Sequence, residues 1–467
     1  MRNAMNISRR DFLERSVCAG AAVSMAVSTQ AAGKQTPKAT GKPNILLIFS
    51  DQQHWRAMGF MDPFFDTPNQ DKLARESMVF ERSFCTTPQC SPSRSSLLTG
   101  LYPSATKVIG NVGAAGGKAL AHPTLAAELK AAGYQTGYFG KWHLGNNAEA
   151  GAGWDHRFLR ANDPKAEQHA VDFLRNLRAP GKPFALFVSL HNPHDIYYYK
   201  KHKPQSSLDD VPLPLSWKRE TFKGKPPIQE QFMAEDQGKV IVGKPRGEWR
   251  KYRDCYRSKT KLYDRNVGVI MDELKRQGQL DNTIVIVTSD HGDMDAQHKL
   301  IFKGPFMYEH MMRIPLMIRV PRRFSKVAPR RITDIDVVNV DIAPTIREFC
   351  GLPKVKSHGM SLVPLFSGSK DYKPRDFVIG QYYSKQRWVN PIRMIRTKDF
   401  KLNRHIRWGD ELYDLKNDPH ELRNLANDPK YAAVKRDLAK KLDQWIKDHK
   451  DPFYSLHASS RKGGKFD

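Results

Sequence analysis

An α/β layered domain with a parallel central sheet, followed by a small C-terminal α+β subdomain, is the fold this sequence predicts. Three observations lead there. Continuous apolar runs that end in polar residues recur far apart: NILLIFSD at 44–51, FALFVSLH at 184–191 and TIVIVTSDHGD at 283–293. Short all-apolar strands of this kind suit a parallel sheet covered on both faces. Helical periodicity lies between them, at Thr124 to Ala132 and Tyr252 to Arg276, and alternating strand and helix implies layered α/β architecture. From about residue 367 the pattern shifts to FVIGQYY, RMIRTKDFKLNRH and ELYDL, which read as short half-exposed antiparallel strands, closed by an amphipathic helix over Ala432 to His449.

Taken in order, residues 1–32 read as an address. SRRDFLERS carries the paired arginines Arg9 and Arg10, then a weakly apolar stretch ends near STQAA. The layout resembles a bacterial twin-arginine export signal, which implies the Tat export machinery as a partner and a periplasmic or secreted destination. The apolar run is too short and broken to span a bilayer, so no stable membrane insertion is expected. Residues 33–42 form a polar linker, 43–366 the large domain and 367–467 the C-terminal subdomain. Within the large domain, Asp195 to Gly247 is rich in Pro, Lys and aromatics, and reads either as a substrate-side wall over the sheet or as a solvated loop.

The balance of 76 Lys+Arg against 49 Asp+Glu, a net charge of +27, favours anionic partners. Nucleic acid is not expected, because no zinc-finger spacing, RNP-like aromatic motif or basic zipper accompanies the charge. No repeat at a period of about 20–50 residues appears, which disfavours solenoids and propellers. The five cysteines, Cys18, Cys85, Cys90, Cys255 and Cys350, form no framework and no C-x-x-C, so neither a disulfide scaffold nor structural zinc is implied. Cys85 and Cys90 could pair, though nothing in the sequence demands it.

Polar residues able to do chemistry cluster at strand ends, where ligands bind in open α/β sheets. Asp51, Gln52 and Asp290 are oxygen donors suited to a hard cation such as Ca²⁺ or Mg²⁺. His291 could add a nitrogen ligand or donate a hydrogen bond to an anion; read alone, SDHGD is more readily an ordinary Asp/Gly turn. KWH sets Lys141 and His143 two apart, on one face of an extended chain. HNPH places His191 at the same sheet edge, and KGPFMYEH supplies Lys303 and Glu309. In CSPSRSSLLTG (90–100), Ser91 suits a helix N-cap and Pro92 the first helical position, with Leu97, Leu98 and Leu101 as the buried stripe. Cys90 then lies at a helix mouth that favours negative charge. A thiolate nucleophile is one reading, but no base held by an Asn or Asp at a recognisable motif accompanies it.

CSPSRSSLLTG resembles the signature of the type I sulfatases, C-x-P-S-R-x-x-x-L-T-G. NILLIFSDQ, GKWHLG, SDHG, KGPFMYE…RIPLMI, HGMSLVPL and ELYDLKNDPHELRNL resemble further segments of that family in the same order, over about Asn44 to Leu425. The resemblance implies the alkaline phosphatase-like fold, with a large mixed, mostly parallel sheet flanked by helices. It also implies a Cys90 oxidised to Cα-formylglycine by a maturation enzyme. The hydrated aldehyde would attack sulfur through one hydroxyl and expel sulfate through the other. Arg94 and Lys141 would stabilise the formylglycine and the sulfate, and His143 would assist the diol. His191 would protonate the leaving oxygen and Lys303 would bind a sulfate oxygen. Asp51, Gln52, Asp290 and His291, together with position 90, would hold Ca²⁺, with Mg²⁺ as the other option. Gln52 stands where many members have a second Asp, lowering the charge of the cage, and His291 stands where many have Asn. His194 is open between a substrate contact and a structural role. The implied activity is sulfate-ester hydrolysis, with a sulfated carbohydrate as the expected substrate. The alternatives are a phosphonate or phosphate ester hydrolase of the same superfamily and a non-catalytic polyanion-binding protein.

Overall fold

The computed structural model describes residues 41–147, 151–177, 181–386 and 388–459. The export-signal reading over 1–32 and the linker up to residue 40 lie outside the described residues. In chain order the strands are β1 (Asn44–Asp51), β2 (Met78–Phe80), β3 (Ser83–Phe84), β4 (Gln135–Gly140), β5 (His156–Phe158), β6 (Phe184–Pro193) and β7 (Thr283–Ser289). They continue with β8 (Leu316–Arg319), β9 (Arg330–Ile332), β10 (Val337–Val338), β11 (Val378–Lys385), β12 (Trp388–Arg396), β13 (Phe400–His405) and β14 (Asp410–Asp414). The large sheet has the order β5-β4-β6-β1-β7-β8-β2-β9, and β8 runs antiparallel to both its neighbours while the other pairs are parallel. It is therefore mixed and mostly parallel.

β1 lies at the centre, with Ile45 opposite both Ala185 and Ile284. Its side chains alternate between two cores. Ile45, Leu47 and Phe49 join one hydrophobic cluster, and Leu46 and Ile48 join the other. β7 divides in the same way, Ile284 and Ile286 to one side and Val285 and Val287 to the other. A strand covered on both faces needs no polar alternation, which is why these runs are apolar throughout.

The helix expected to begin at Tyr252 starts six residues earlier, at Arg246, and runs to Arg276. Tyr252, Tyr256, Thr260, Tyr263, Val267, Ile270 and Leu274 form its buried stripe at three- and four-residue spacing. The Asp195–Gly247 excursion is ordered wall rather than loose loop. Short helices at Leu215–Arg219 and Ile228–Glu235 seat Phe232 and Met233 in the core shared with Trp249, Tyr252 and Phe302.

The C-terminal sheet, β11-β12-β13-β14, is antiparallel throughout. Its strands were expected to be half-exposed, yet β12 is buried at every position. Ile379, Ile395, Leu402 and Leu412 pack under Leu438, Leu442 and Trp445 of the Ala432–Asp448 helix. The opposite face gives Tyr382, Ile392, Met394 and Tyr413 to the core around Phe232 and Met307. Covering on both faces removes the solvated side that alternation would have marked.

Candidate active site and metal centre

Four chain segments converge at the C-terminal ends of β1, β4, β6 and β7. β1 delivers Asp51 as its last residue, and Gln52 follows with φ 77°, turning the chain out of the sheet. β7 ends at Ser289, immediately before Asp290 and His291. Lys141 follows β4, and His191 lies inside β6.

Cys90 enters from the Cys90–Thr99 helix, all ten residues of which are buried. The expected capping differs: Gln89 is the N-cap, Cys90 the first helical residue and Pro92 the third. Ser91 does not cap; its Oγ accepts from the Val112 N–H at 3.1 Å. A helix buried all round must satisfy its hydroxyls internally. Thr99 and Ser95 do so on backbone carbonyls four and three residues back, at 2.6 and 2.7 Å. Leu101 falls beyond Gly100, whose φ of 78° closes the helix, so the buried stripe ends at Leu98.

Around the Cys90 sulfur stand Lys303 Nζ at 3.0 Å, His291 Nε2 at 3.3 Å, Asp51 Oδ1 at 3.6 Å and Lys141 Nζ at 3.8 Å. His143 and His194 each share a hydrogen bond with the same side chain. Burial opposes ionisation of the thiol, but Lys141, Lys303 and His291 outweigh it and hold Cys90 well below the ordinary thiol range. Cys85 is buried elsewhere, its sulfur 3.6 Å from the Met311 carbonyl, and the two cysteines are unpaired. Burial pushes the Cys85 thiol upward, leaving it inert beside Cys90.

Arg94, fully buried, organises the acidic half of the site. Its Nε donates to Asp290 Oδ2 at 2.8 Å and its Nη2 to Asp51 Oδ2 at 3.2 Å. Its Nη1 donates to the Lys141 carbonyl at 2.6 Å and to Ser189 Oγ at 2.7 Å. With those bonds made, Arg94 acts by fixing both carboxylates rather than by direct contact with the sulfur. Asp51 Oδ2 also receives the Lys141 ammonium. That leaves the Oδ1 atoms of both aspartates turned toward His291 Nε2, at 3.6 and 3.7 Å. His291 Nδ1 lies 2.9 Å from the Gly292 carbonyl, which places its proton there and aims Nε2 into the site. One atom each from Asp51, Cys90, Asp290 and His291 lie within 4.8 Å of one another, all buried. Two carboxylate oxygens and an oriented imidazole nitrogen fit a divalent cation. Gln52 stands differently. Its Oε1 accepts from Lys303 Nζ at 2.8 Å and its Nε2 donates to Asp293 Oδ2 at 2.7 Å, so only the second lone pair of Oε1 is free for a cation.

Electrostatics divides the carboxylates. Burial and Cys90 push Asp51 upward, but Lys141, His194 and Lys303 hold it well below the ordinary range. Asp290 is raised by burial and by Asp51 beside it. The two are a coupled pair, and Asp51 is the one that stays ionised.

His191 and His194 take different places. The His191 ring is 4.4 Å from that of His194, and its Nε2 pairs with Asp195 at 3.4 Å. His194 is the one that reaches Cys90. It is held neutral, lowered to about 3 by burial and then by Lys141.

Three side chains the sequence reading did not single out complete the site. Tyr197 hydrogen-bonds to Gln52, while its ring stacks on Phe302 at 4.2 Å. Asp293 receives Gln52 and the Tyr252 hydroxyl, the latter at 2.9 Å, and is raised by burial to about 7. Lys385, from β11 of the C-terminal sheet, donates to the backbone carbonyl of Lys303. Asp293 was visible in SDHGD. Tyr197 lay in an aromatic run with no motif, and Lys385 carried no signal at all.

A catalytic-type cluster at the carboxyl edge of a mixed α/β sheet defines a hydrolase-like centre, and comparison with known proteins makes the class specific. The chain belongs to the sulfatase family: a family model described as Sulfatase matches residues 43–352. A second, described as N-sulphoglucosamine sulphohydrolase, C-terminal, matches residues 297–448. The family makes this protein a sulfuric ester hydrolase. It is 28% identical over 447 residues to the Delta 4,5-hexuronate-2-O-sulfatase of Bacteroides thetaiotaomicron, covering 90% of this chain and 92% of that one. The solved structure of a 2-O GAG sulfatase is 25% identical with a TM-score of 0.80, covering 90% of this chain and 95% of that one. The phosphonate monoester hydrolase of Agrobacterium radiobacter, 23% identical with a TM-score of 0.73 over 90% of this chain and 99% of that one, shares the fold. Among the described residues no helix is long and apolar enough to cross a membrane.

Proposed function

We propose that this protein removes sulfate from a sulfated carbohydrate, using a formylglycine formed from Cys90 by a maturation enzyme and a cation, Ca²⁺ in preference to Mg²⁺. The observation that carries the proposal is the Cys90 sulfur set between Lys303, Lys141 and His291, with both Oδ1 atoms of Asp51 and Asp290 turned inward. The names of relatives that act on sulfated sugars support the substrate class.

Asp51, Asp290 and His291, with Gln52 as a fourth ligand through its remaining lone pair, would hold the cation. Bound there, a divalent cation lowers the pKa of the hydrated aldehyde and offsets charge on the sulfuryl group. The chain's own residues do the rest. Lys303 and Lys141 hold sulfate oxygens, placing fixed positive charge where charge develops in the transition state. Arg94 keeps both carboxylates from rotating. His143 supports position 90 as a hydrogen-bond partner. Protonation of the leaving oxygen falls to His191, oriented by Asp195, while the neutral His194 beside it serves as a hydrogen-bond partner of position 90. We further propose that residues 1–32 direct export by the twin-arginine route to the periplasm or beyond, and that 43–366 and 367–467 are the catalytic domain and its C-terminal subdomain.

Peptide mass spectrometry of protein from the native host tests the modification, and a Cys90 recovered only as thiol overturns it. Cys90→Ala is expected to abolish turnover of sulfated sugars with its unfolding transition unchanged; full residual activity refutes the assignment. Turnover of sulfate and phosphonate esters of one phenol decides between ester classes, and faster phosphonate cleavage rejects the sulfatase reading.

A further inference from the structure

The active site uses few of the 76 basic residues. A second concentration of them lies at the other edge of the large sheet. The segment RVPRRFSKVAPRR, Arg319 to Arg331, carries six cations and no acid. Basic runs of this density suit sulfated or phosphorylated polymers. In the structure it curls into one wall of a groove of about 850 Å³, which Arg75, Glu76 and Asp281 complete.

The groove is pre-formed. Pro321 is buried, the turn Arg322–Phe324 is helical, and the Lys326 N–H donates to the Phe366 carbonyl at 2.8 Å. Ser325 Oγ is bonded to the carbonyls of Val327 and Phe366, at 2.9 and 3.2 Å. Little backbone ordering is left for a ligand to impose.

Its acids are already engaged. Glu76 and Asp281 both pair with Arg319, at 3.0 and 3.2 Å. Arg75, Arg322 and Lys326 are exposed and make no ion pair among the described residues, and Arg323 lies over the Phe324 ring at 4.4 Å. The groove therefore presents four cations beyond Arg319, against two acids that both lie on Arg319, and keeps a net positive charge. Three are arginines, whose planar forks match sulfate oxygens in pairs.

Position narrows the ligand. Arg319, where the basic segment begins, lies opposite Val285, five residues before Asp290 along the chain, so even this residue is about 17 Å of strand from the catalytic centre at ~3.3 Å per residue. A small ester cannot touch both. A polymer can, and one held in the groove raises its own concentration at the catalytic edge.

We propose that this groove is a second, non-catalytic binding site for a sulfated polysaccharide. The choice of sulfate over other anions rests on the sulfatase reading; the binding of a polyanion does not.

The test uses the full chain, fluorescent heparin as probe, and an aryl sulfate as small substrate. Arg322→Ala/Arg323→Ala/Lys326→Ala is expected to weaken heparin binding about tenfold or more near 0.15 M salt, and to lower the log–log salt slope by roughly 2 to 3, just under one per counterion released. Aryl sulfate turnover stays at the wild-type level. The control Arg436→Ala/Lys440→Ala/Lys447→Ala, on the exposed face of the C-terminal helix, keeps wild-type binding. A glutamine set at 322, 323 and 326 repeats the measurement with side-chain length retained. Unchanged binding in the groove variants overturns the proposal, and so does equal weakening in the control, which means diffuse charge. Duplex DNA bound as tightly through the same three residues overturns the choice of polysaccharide. If the wild type turns over no sulfate ester, the catalytic reading fails while the heparin measurements still decide the groove.

Discussion

Replacing Lys385 by methionine tests the electrostatics beneath the active site. Lys385 is fully buried, donates to the Lys303 carbonyl and lies over the Phe232 ring at 4.6 Å. Burial, aided by Lys303, lowers its pKa from the ordinary 10.5 to about 7, against the pull of Asp236. A lysine depressed in this way destabilises the fold while it is charged. Above 10.5 it is neutral in both states and the penalty is absent; between 10.5 and 7 the unfolded chain holds more protons, so stability rises with pH; below 7 the full penalty applies. At about 1.4 kcal/mol per unit, the penalty is roughly 5 kcal/mol at pH 6 and roughly 2 kcal/mol at pH 9. Methionine removes it. The lost hydrogen bond, reckoned from the neutral amine, costs about 0.5–1.5 kcal/mol at either pH. Lys385→Met is therefore expected to be more stable than wild type at pH 6, and close to it at pH 9. Urea unfolding at the two pH values reads the change, about 3 kcal/mol. A difference between variant and wild type that is flat with pH would show that Lys385 titrates normally and refute the reasoning.

The other predictions concern the acidic half of the site. Arg94→Met leaves Asp51 and Asp290 without their shared guanidinium, and is expected to cost about 3–5 kcal/mol, as for one partner removed from a buried ion pair. Asp290 already has a raised pKa, so its protonation at low pH relieves the repulsion. The loss should therefore be smaller at pH 5 than at pH 8 in chelator-treated protein, and the opposite trend rejects the role given to Arg94. Chelation is expected to abolish turnover. Ca²⁺ at about 100 times its Kd should restore it and add about 2.7 kcal/mol of stability by mass action; no change in the unfolding transition on adding Ca²⁺ or Mg²⁺ argues against a cation at the site. His191→Ala is expected to lower kcat on a poor leaving group by about 10²–10⁴-fold and far less on an activated aryl sulfate, the signature of a lost proton donor. Equal losses on both substrates exclude that role.

Most of the site was legible because its members sit where strands break. Asp51 and Asp290 follow apolar runs long enough to identify β1 and β7, and the Cys90 motif is specific in spacing. The histidine pair was harder. HNPH shows two imidazoles three residues apart, but which one turns inward depends on how the chain leaves β6, and no pattern of residue types records that. The capping of the Cys90 helix was misplaced for a related reason. Ser91 has the chemistry of an N-cap, yet its hydroxyl is taken by Val112, twenty-one residues on.

By itself the sequence determined the layered α/β core, the sulfatase signature, the acidic and basic partners of Cys90, and an excess of positive charge. Those follow from periodicity and residue type, which local sequence carries. Tertiary structure alone decided that Arg94 spends its donors on two carboxylates, that His194 rather than His191 meets Cys90, and that Lys385 reaches under Lys303 from a separate sheet. It also decided that Arg319 to Arg331 folds into a groove away from the catalytic edge. Each of these is a contact between residues far apart in the chain. Such contacts depend on sheet order and on the exit direction of each loop, and those are settled only when the two cores close around β1.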